Sequence, residues 1–230
     1  MDKSVNCAGA VAWCLAAVLS MLSLVACGSS TSTRLRLVDA SPDANSLDVL
    51  VDTNSSATGV TFGNASKYVS VSAGGHSVQV KDPNSSLTAP PAQNLSFTSG
   101  TDTTLLAASS YSTLNIVELT DDNKAPTSGD VKIRVVNSAQ SLGTMDIYIV
   151  APGTDLSTIS PTFPNVVFEG ASAYHEVAAG TYEVYFTQPG QKFYYIDSGA
   201  LTLKAGQIRT VVGLDNVGNG YTASVLADVN

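Results

Sequence analysis

The chain has 230 residues and a formal net charge of −8, because 19 acidic side chains outnumber 11 basic ones. An acidic surface repels the phosphate backbone of nucleic acids, so these totals exclude a nucleic-acid partner. Only two histidines are present, which leaves few candidates for a catalytic base.

The N-terminal segment resembles the signal of a bacterial lipoprotein. Lys3 supplies a positive charge, and residues 8–25 form the short apolar run typical of a secretory signal. The run ends in Leu24-Val25-Ala26-Cys27, which resembles a lipobox. We therefore expect a signal peptide over residues 1–26, cleavage before Cys27 and attachment of lipid to the Cys27 thiol. An uncleaved membrane helix is the alternative.

The residues around Cys27 also predict a tether and a location. Residues 27–33 form the expected tether, and its part after Cys27 spans at most about 20 Å when extended, so the folded part should lie near the membrane. Gly28, in place of an Asp, resembles the pattern of lipoproteins sent to the outer membrane when the host has two membranes. Cys7 and Cys14 would leave with the signal peptide, so the mature chain would have no internal disulfide. We expect a cell-envelope protein whose first partner is the membrane, reached through the Cys27 lipid.

An internal repeat organises the rest of the chain. The segments Arg36–Asp39 and Leu47–Val51 recur at a constant spacing as Arg134–Asn137 and Met145–Ile149. Further matches follow at a larger spacing, because the second copy contains an insertion over residues 151–164 that we read as a longer surface loop. The repeat predicts two tandem domains of one fold, at residues 34–120 and 131–230, with a linker over 121–130.

Each copy has the period of two that is typical of β-strands. Leu47, Val49 and Val51 alternate with less apolar residues, and similar short runs are separated by Gly, Pro, Asn, Asp and Ser. No segment has the apolar stripe of an amphipathic helix. The pattern predicts an all-β fold with two small antiparallel β-sandwiches.

The first copy resembles a known family. Residues 36–44, the strand over residues 47–52, and Val71-Ser72-Ala73-Gly74 are similar to the domain-of-unknown-function 4397 family of bacterial envelope and secreted proteins. The second copy matches less well, because Ala139-Gln140-Ser141 replaces the Ser-Pro-Asp of the first. The resemblance implies an Ig-like β-sandwich and no established catalytic residues.

The residues that could carry out catalysis do not form a recognised motif. Neither His76 nor His175 is shared between the copies, and we expect both in or near the core. His175-Glu176 begins like a metalloprotease motif, but Ala179 occupies the position of the second histidine. The sequence therefore predicts no catalytic residue and no cofactor, with an envelope hydrolase as the less favoured alternative.

An acidic cluster in the first copy could supply the oxygen ligands of a calcium site. Its spacing is not that of a known calcium loop, and the second copy keeps only one of the four carboxylates, Asp146. Turn capping is the favoured interpretation, so we expect no metal site. The four residues are Asp39, Asp43, Asp48 and Asp52.

One charged pair occurs in both copies. Arg36 and Asp48 fall on the same face of successive predicted strands, as do Arg134 and Asp146. We therefore expect one cross-strand contact in each domain, of the kind that contributes about 0.2 to 1 kcal/mol.

Aromatic residues are concentrated in the second copy and supply the candidate binding site. Tyr148 and Tyr185 alternate with core positions and are expected to point outward, and Tyr194 or Tyr195 should join them. The alternative is that these rings cover one another or pack against the first domain. We expect a non-enzymatic binding or structural module that contacts a glycan or another envelope protein, and a carbohydrate-binding or adhesion role would use this aromatic patch.

Overall fold

The computed structural model describes residues 32–216, 218 and 220–229. The expected signal peptide and Cys27 lie outside the described residues. Within the described part of the chain, no helix has the length and hydropathy of a membrane span. β1 begins at Ser32 and the Thr33 side chain is buried, so the tether expected over residues 27–33 ends two residues earlier.

The first sandwich, here called repeat 1, comprises residues 32–121. Its only helix is a single 3₁₀ turn at Tyr111–Thr113. The strands are β1 (Ser32–Ala40), β2 (Leu47–Val51), β3 (Asn54–Val60), β4 (Val69–Ser72), β5 (Gly74–Lys81), β6 (Gln93–Phe97), β7 (Asp102–Ala108) and β8 (Asn115–Asp121).

The second sandwich, repeat 2, comprises residues 130–229 and contains a 3₁₀ turn at Leu156–Thr158 within the insertion. Its strands are β9 (Asp130–Ser138), β10 (Met145–Val150), β11 (Phe163–Val166), β12 (His175–Ala178), β13 (Gly180–Thr187), β14 (Tyr194–Asp197), β15 (Leu201–Leu203), β16 (Ile208–Asp215) and β17 (Tyr221–Ala227).

The two repeats have the same strand order. Repeat 1 contains the sheets β4-β1-β7-β8 and β3-β2-β5-β6, and repeat 2 contains β12-β9-β16-β17 and β11-β10-β13-β14, with β15 also paired to β13. The register identifies β15 as the counterpart of β6, because each pairs with the start of the preceding long strand, so β14 is the strand added in repeat 2. The prediction of two tandem Ig-like sandwiches is confirmed. The sheets are not wholly antiparallel, because β1 pairs with β7 and β9 with β16 in parallel.

Three apolar layers hold the four sheets together. One core fills repeat 1, a second fills repeat 2, and a third lies between the repeats. In β1, Leu37 points into the core of repeat 1, whereas its neighbour Val38 points into the layer between repeats. Strands in this position are buried on both faces and therefore lose the simple alternation of apolar and polar residues. The repeats consequently group into one compact unit.

The arginines shared by the repeats do not contact the aspartates that the sequence indicated. We expected Arg36 to meet Asp48 and Arg134 to meet Asp146, but β1 and β2 lie in different sheets, as do β9 and β10. Asp48 instead accepts a hydrogen bond from the backbone N–H of Gly59 in β3, and Asp146 accepts from those of Asn165 in β11 and Gly190. The expectation was wrong because alternation assigns a residue to a face of its strand without identifying the sheet.

Each arginine pairs instead with an aspartate at the end of the other repeat. Nη2 of Arg36 lies 2.7 Å from Oδ1 of Asp228, and Nη2 of Arg134 lies 2.7 Å from Oδ1 of Asp121. The four side chains are at most 3% exposed. We call these contacts the crossed ion pairs, because each repeat supplies the arginine of one pair and the aspartate of the other.

Hydroxyl groups complete the crossed ion pairs. The Tyr68 hydroxyl donates to Asp121 over 2.6 Å, and its ring centre lies 4.9 Å from the guanidinium of Arg36. Tyr174 makes the equivalent contacts in repeat 2. Burial raises the pKa of both tyrosine hydroxyls, so each keeps its proton and can donate. Burial lowers the pKa of Arg36, but the charge of Asp228 outweighs it together with other groups, and the guanidinium stays charged.

Candidate functional site

Tyr148 and Tyr185 are buried, contrary to the expectation that they point into solvent. They are 1% and 7% exposed. Both rings do lie on the outer face of their sheet, but Leu156 of the insertion packs on them, with Ile159 at the edge of the cluster. The insertion is therefore more than a surface loop, since it closes over the outer face of β10 and β13.

Tyr194 and Tyr195 are exposed, and two further rings extend them into a continuous surface. Phe193 is 71% exposed and Tyr221 37%. The ring centres of Phe193 and Tyr194 are 6.2 Å apart, those of Phe193 and Tyr195 are 5.4 Å apart, and those of Tyr195 and Tyr221 are 6.0 Å apart. We call these four residues the aromatic surface. The buried Tyr185 supports it from below, by stacking on Tyr194 at 4.6 Å.

A β-bulge explains why two consecutive tyrosines are both exposed. In the pairing of β13 with β14, Thr187 lies opposite Tyr194 and Phe186 lies opposite Ile196, so the register shifts by one residue. A bulge leaves an extra residue on one strand and breaks the alternation of faces. Ile196 therefore enters the core while both tyrosines stay outside. Strict alternation would have placed one of them inside, and the sequence has no signal for the bulge.

A cleft between the repeats adjoins the aromatic surface. It has a volume of about 520 Å³. Asp43 belongs to the β1–β2 loop of repeat 1, whereas Asp215 and Tyr221 belong to the β16–β17 hairpin of repeat 2. Tyr221 is thus part of both the cleft and the aromatic surface. The cleft is lined by Pro42, Asp43, Ser141, Asp215, Asn216, Gly218, Gly220 and Tyr221.

The two carboxylates of the cleft are held in place by hydrogen bonds from neighbouring loops of the same repeat. Oδ1 of Asp43 accepts a hydrogen bond from the backbone N–H of Tyr111 over 2.6 Å and another from the Ser41 hydroxyl. The Asp215 carboxylate accepts from the backbone N–H and the hydroxyl of Ser141. A carboxylate offers about four lone-pair directions, so both groups keep acceptor capacity toward the cleft.

Repeat 1 contains a serine, a histidine and an aspartate in a triad-like arrangement that sequence inspection missed. Nδ1 of His76 lies 2.6 Å from Oδ2 of Asp52, and its Nε2 lies 3.3 Å from Oγ of Ser72. However, the same Nε2 lies closer, at 3.0 Å, to the backbone carbonyl oxygen of Ser72. A general base needs a free lone pair directed at the hydroxyl, whereas this nitrogen faces a carbonyl acceptor. The arrangement therefore suits a brace between two hairpin turns rather than a nucleophile.

The four carboxylates considered for a calcium site have separate roles in the structure. Asp43 faces the cleft, Asp48 accepts from the Gly59 N–H in β3, Asp52 accepts from the Ser77 N–H, and Asp39 is fully buried in β1. Among the described residues, no group of three or more His, Cys, Asp or Glu side chains could hold a metal ion.

Asp39 has an unusual environment for a carboxyl group. Oδ1 accepts from the Ser41 backbone N–H, but within the described chain its buried Oδ2 has no partner. Burial raises the pKa of Asp39 to about 7, and the charges of Asp82 and Asp43 contribute to the shift. In repeat 2 the equivalent Asn137 donates hydrogen bonds to two backbone carbonyls.

Fold and surface together define a tandem β-sandwich protein with an exposed aromatic surface on its second repeat. A family model described as "Domain of unknown function (DUF4397)" matches residues 33–148. This match covers half of the sequence, so the chain belongs to that family. The matched region contains most of repeat 1, all of β9 and the start of β10, up to Tyr148. A comparison with curated proteins finds no match.

Solved structures that align with this chain include carbohydrate-binding modules. One is described by "Alpha-glucan recognition by family 41 carbohydrate-binding modules from streptococcal virulence factors", with 14% identity, a TM-score of 0.29, and coverage of 83% of this chain and 96% of that one. Another is the family 26 module from Eubacterium rectale Amy13K in complex with maltoheptaose, with 11% identity, a TM-score of 0.27, and coverage of 86% and 98%.

A third similar structure is the Bacillus anthracis TIE protein, with 9% identity and a TM-score of 0.26. The alignment covers 84% of this chain and 34% of that protein.

Proposed function

We propose that this protein is a non-enzymatic binding protein of the bacterial cell envelope, anchored by lipid on Cys27, and that the aromatic surface of repeat 2 is its contact surface. The observation that carries the proposal is the unbroken contact among four exposed rings. Exposed apolar patches of this kind mark interaction sites, because burying the rings against a partner removes apolar area from water. Tyrosine is also enriched at binding interfaces, since its hydroxyl can stay hydrated while the ring packs.

Two observations support a binding role over catalysis. The Ser72, His76 and Asp52 arrangement directs Nε2 of the histidine at a carbonyl oxygen. The two carboxylates of the cleft accept hydrogen bonds from the backbone N–H groups of Tyr111 and Ser141, which suits fixed acceptors for a ligand. A binding role requires only the exposed rings and a rigid scaffold, and the protein has both.

The anchor is proposed from the Leu24-Val25-Ala26-Cys27 sequence, and Gly28 supports delivery to the outer membrane in a host with two membranes. Replacing Cys27 with Ser removes the acceptor thiol. Mass spectrometry of the wild-type protein from membranes should show a processed chain with acylated Cys27, whereas Cys27→Ser should accumulate as precursor without lipid. Recovery of wild-type protein with an unmodified Cys27 would contradict the anchor.

The contact surface is tested by binding to the envelope of the producing bacterium. Purified wild-type protein should be retained by an envelope fraction, and the Phe193→Ala, Tyr195→Ala double variant should lose at least about tenfold in apparent affinity because it removes the two central rings. Leu87→Ala is the matched control, since Leu87 is an exposed apolar residue of repeat 1, 55% accessible. Equal retention of all three proteins would dispose of the aromatic surface as the binding site.

A further inference from the structure

The aromatic surface and the cleft between the repeats are parts of one continuous region. Tyr221 lines the cleft, and its ring contacts Tyr195, which contacts Phe193 in turn. A ligand that enters the cleft therefore reaches the row of exposed rings without crossing a gap. The region offers two kinds of recognition side by side, flat apolar faces and carboxylate acceptors.

The exposed rings suit the apolar face of a sugar ring. Phe193 and Tyr194 are nearly parallel, with an angle of 7° between their planes, whereas Tyr195 stands at 87° to Phe193. The surface thus presents ring faces in two directions along a line, rather than one flat patch. Such a row can stack successive units of a chain that turns as it extends, because each contact needs only a pyranose C–H face.

The carboxylates at the cleft suit hydroxyl donors. An ionised carboxylate can accept hydrogen bonds but cannot donate them. Asp43 and Asp215 therefore complement a ligand rich in O–H groups. The same charges oppose an anionic ligand, and the net charge of −8 adds to that repulsion. The chemistry favours a neutral chain over a uronic acid polymer or a phosphate-containing polymer.

The size of the cleft fits one or two sugar units. Its volume of about 520 Å³ falls within the range of roughly 300 to 1,000 Å³ that is usual for small-ligand sites. The walls come from different repeats, with Asp43 on one side and Asp215 on the other. The crossed ion pairs fix the two repeats against each other, so the walls keep their separation before any ligand binds.

Resting on the proposed function, we infer that the protein binds a neutral polysaccharide, with one or two sugar units in the cleft between the repeats and the following units stacked on Tyr195 and Phe193. Tyr221 joins the two parts of the site. Asp43 and Asp215 accept hydrogen bonds from sugar hydroxyl groups and exclude anionic chains.

The experiment measures binding of defined oligosaccharides to the full lipidated protein in a detergent without a sugar headgroup. Isothermal titration uses neutral hexose and N-acetylhexosamine oligomers of four to six units, with uronic acid oligomers as the anionic probe. We expect at least one neutral series to bind with a Kd from micromolar to millimolar, and the anionic probe to bind at least about tenfold more weakly.

Three variants assign the binding to the site. Tyr221→Ala and Phe193→Ala should each lower the affinity for the neutral oligosaccharide by about tenfold, because each removes a ring face on which a sugar can stack. Asp43→Asn keeps an oxygen for the Tyr111 N–H, removes the charge and replaces the second oxygen with an NH2 donor, so it should narrow the difference in affinity between neutral and anionic oligomers. Leu87→Ala should bind like the wild type. The Phe193→Ala result stays interpretable if Tyr221→Ala misfolds, because Phe193 lies outside the strands.

The outcomes separate this inference from the proposed function. Tighter binding of the anionic oligomers, or neutral binding that is unaffected by Phe193→Ala and Tyr221→Ala, overturns the glycan site. The glycan site is also overturned if no oligosaccharide binds while the rings are still needed for retention on envelopes and protease treatment of the envelopes abolishes that retention. That combination assigns the aromatic surface to a protein partner. Loss of ring dependence in the envelope assay overturns both.

Discussion

Repeat 1 and repeat 2 have the same strand order and the same buried contacts between them, but they differ on the outer face of their second sheet. In repeat 1 the outward positions of β2 and β5 are Leu50 and Gln79, and Gln79 donates to the Pro90 carbonyl of a loop without aromatic residues. In repeat 2 the equivalent positions are Tyr148 and Tyr185, which the insertion covers. The comparison shows that the contacts that join the repeats come from features common to both, whereas the candidate binding surface is found only in repeat 2.

The cores of the repeats also differ at one pair of facing positions. Val80 and Ala107 of repeat 1 correspond to Phe186 and Gly213 of repeat 2. A Cβ atom on Gly213 would lie 2.5 Å from the ring of Phe186. The larger ring in repeat 2 is therefore accommodated by the absence of a methyl group on the opposite sheet.

The largest loss of stability should come from removing the arginine of either crossed ion pair. Arg36→Ala leaves Asp228 buried without its counter-charge, and Arg134→Ala does the same to Asp121, so each should lower the free energy of unfolding by about 3 to 5 kcal/mol. Arg34→Ala, which breaks an exposed pair with Asp102, is the control and should cost at most about 1 kcal/mol. Urea unfolding measures all three. A large loss for only one of the two buried arginines would refute their equivalence.

The second effect is a dependence of the free energy of unfolding on pH that arises from a carboxyl group present only in repeat 1. The Asp39 pKa is raised from 3.8 to about 7, so the folded state holds a proton that the unfolded state loses above about pH 4. The free energy of unfolding should therefore fall between about pH 4 and pH 7, by up to about 4 kcal/mol, and the contribution should level off above pH 7.

Asp39→Asn removes this titration and copies Asn137 of repeat 2. The variant should gain stability relative to the wild type as pH rises from 4.5 to 7.5, because the wild type loses the contribution of the protonated Asp39 over this range and Asn does not titrate. Urea unfolding at both pH values gives the difference, in which the other carboxyl groups largely cancel. Parallel pH profiles for the two proteins would show that Asp39 is not protonated in the folded state.

The third effect tests the exchange of volume between the cores. Gly213→Ala should destabilise repeat 2 by about 1 to 3 kcal/mol, because the added methyl group overlaps Phe186. The double variant with Phe186→Val restores the pair found in repeat 1. Its cost should be smaller than the sum of the two single costs by at least about 0.5 kcal/mol. Additive costs in the unfolding cycle would mean that the two positions do not compensate each other.

The smallest change in stability should come from substitutions in the aromatic surface of repeat 2. Phe193→Ala and Leu87→Ala should each change the free energy of unfolding by less than about 0.5 kcal/mol, because both side chains are largely exposed. Thermal unfolding provides the measurement. A loss above about 1 kcal/mol for Phe193→Ala would show that the ring supports the fold, and its binding data would then need the conservative Phe193→Leu variant.

The sequence predicted the strands and the two sandwiches because period-two alternation and internal repetition are local signals. It did not predict the layer between the repeats, although a signal was present. Leu105-Leu106 and Val211-Val212 place apolar residues on both faces of central strands. Such pairs indicate two buried faces. The partners of Arg36 and Arg134 could not be read from the sequence, since they depend on how the repeats pack.

The candidate site was predicted only in part for similar reasons. Alternation assigned Tyr148 and Tyr185 to the correct face, but burial depended on how the insertion folds back with Leu156, which is a nonlocal event. The exposure of both Tyr194 and Tyr195 depends on a bulge, and no residue in β14 marks it. Asp43 and Asp215 meet at the cleft only after both repeats are assembled.

The reciprocity of the crossed ion pairs has the geometry of a two-fold homodimer, in which residue i of one partner meets residue j of the other and j meets i. Here both partners belong to one chain. A single repeat expressed alone would lack the cross-repeat partners of its arginine and its aspartate, and it would expose its side of the apolar layer between the repeats, so pairing with a second copy of itself would be favourable. Joining the copies by a connection of residues 122–129 replaces that concentration-dependent dimerisation with an intramolecular contact, so dilution cannot separate the halves.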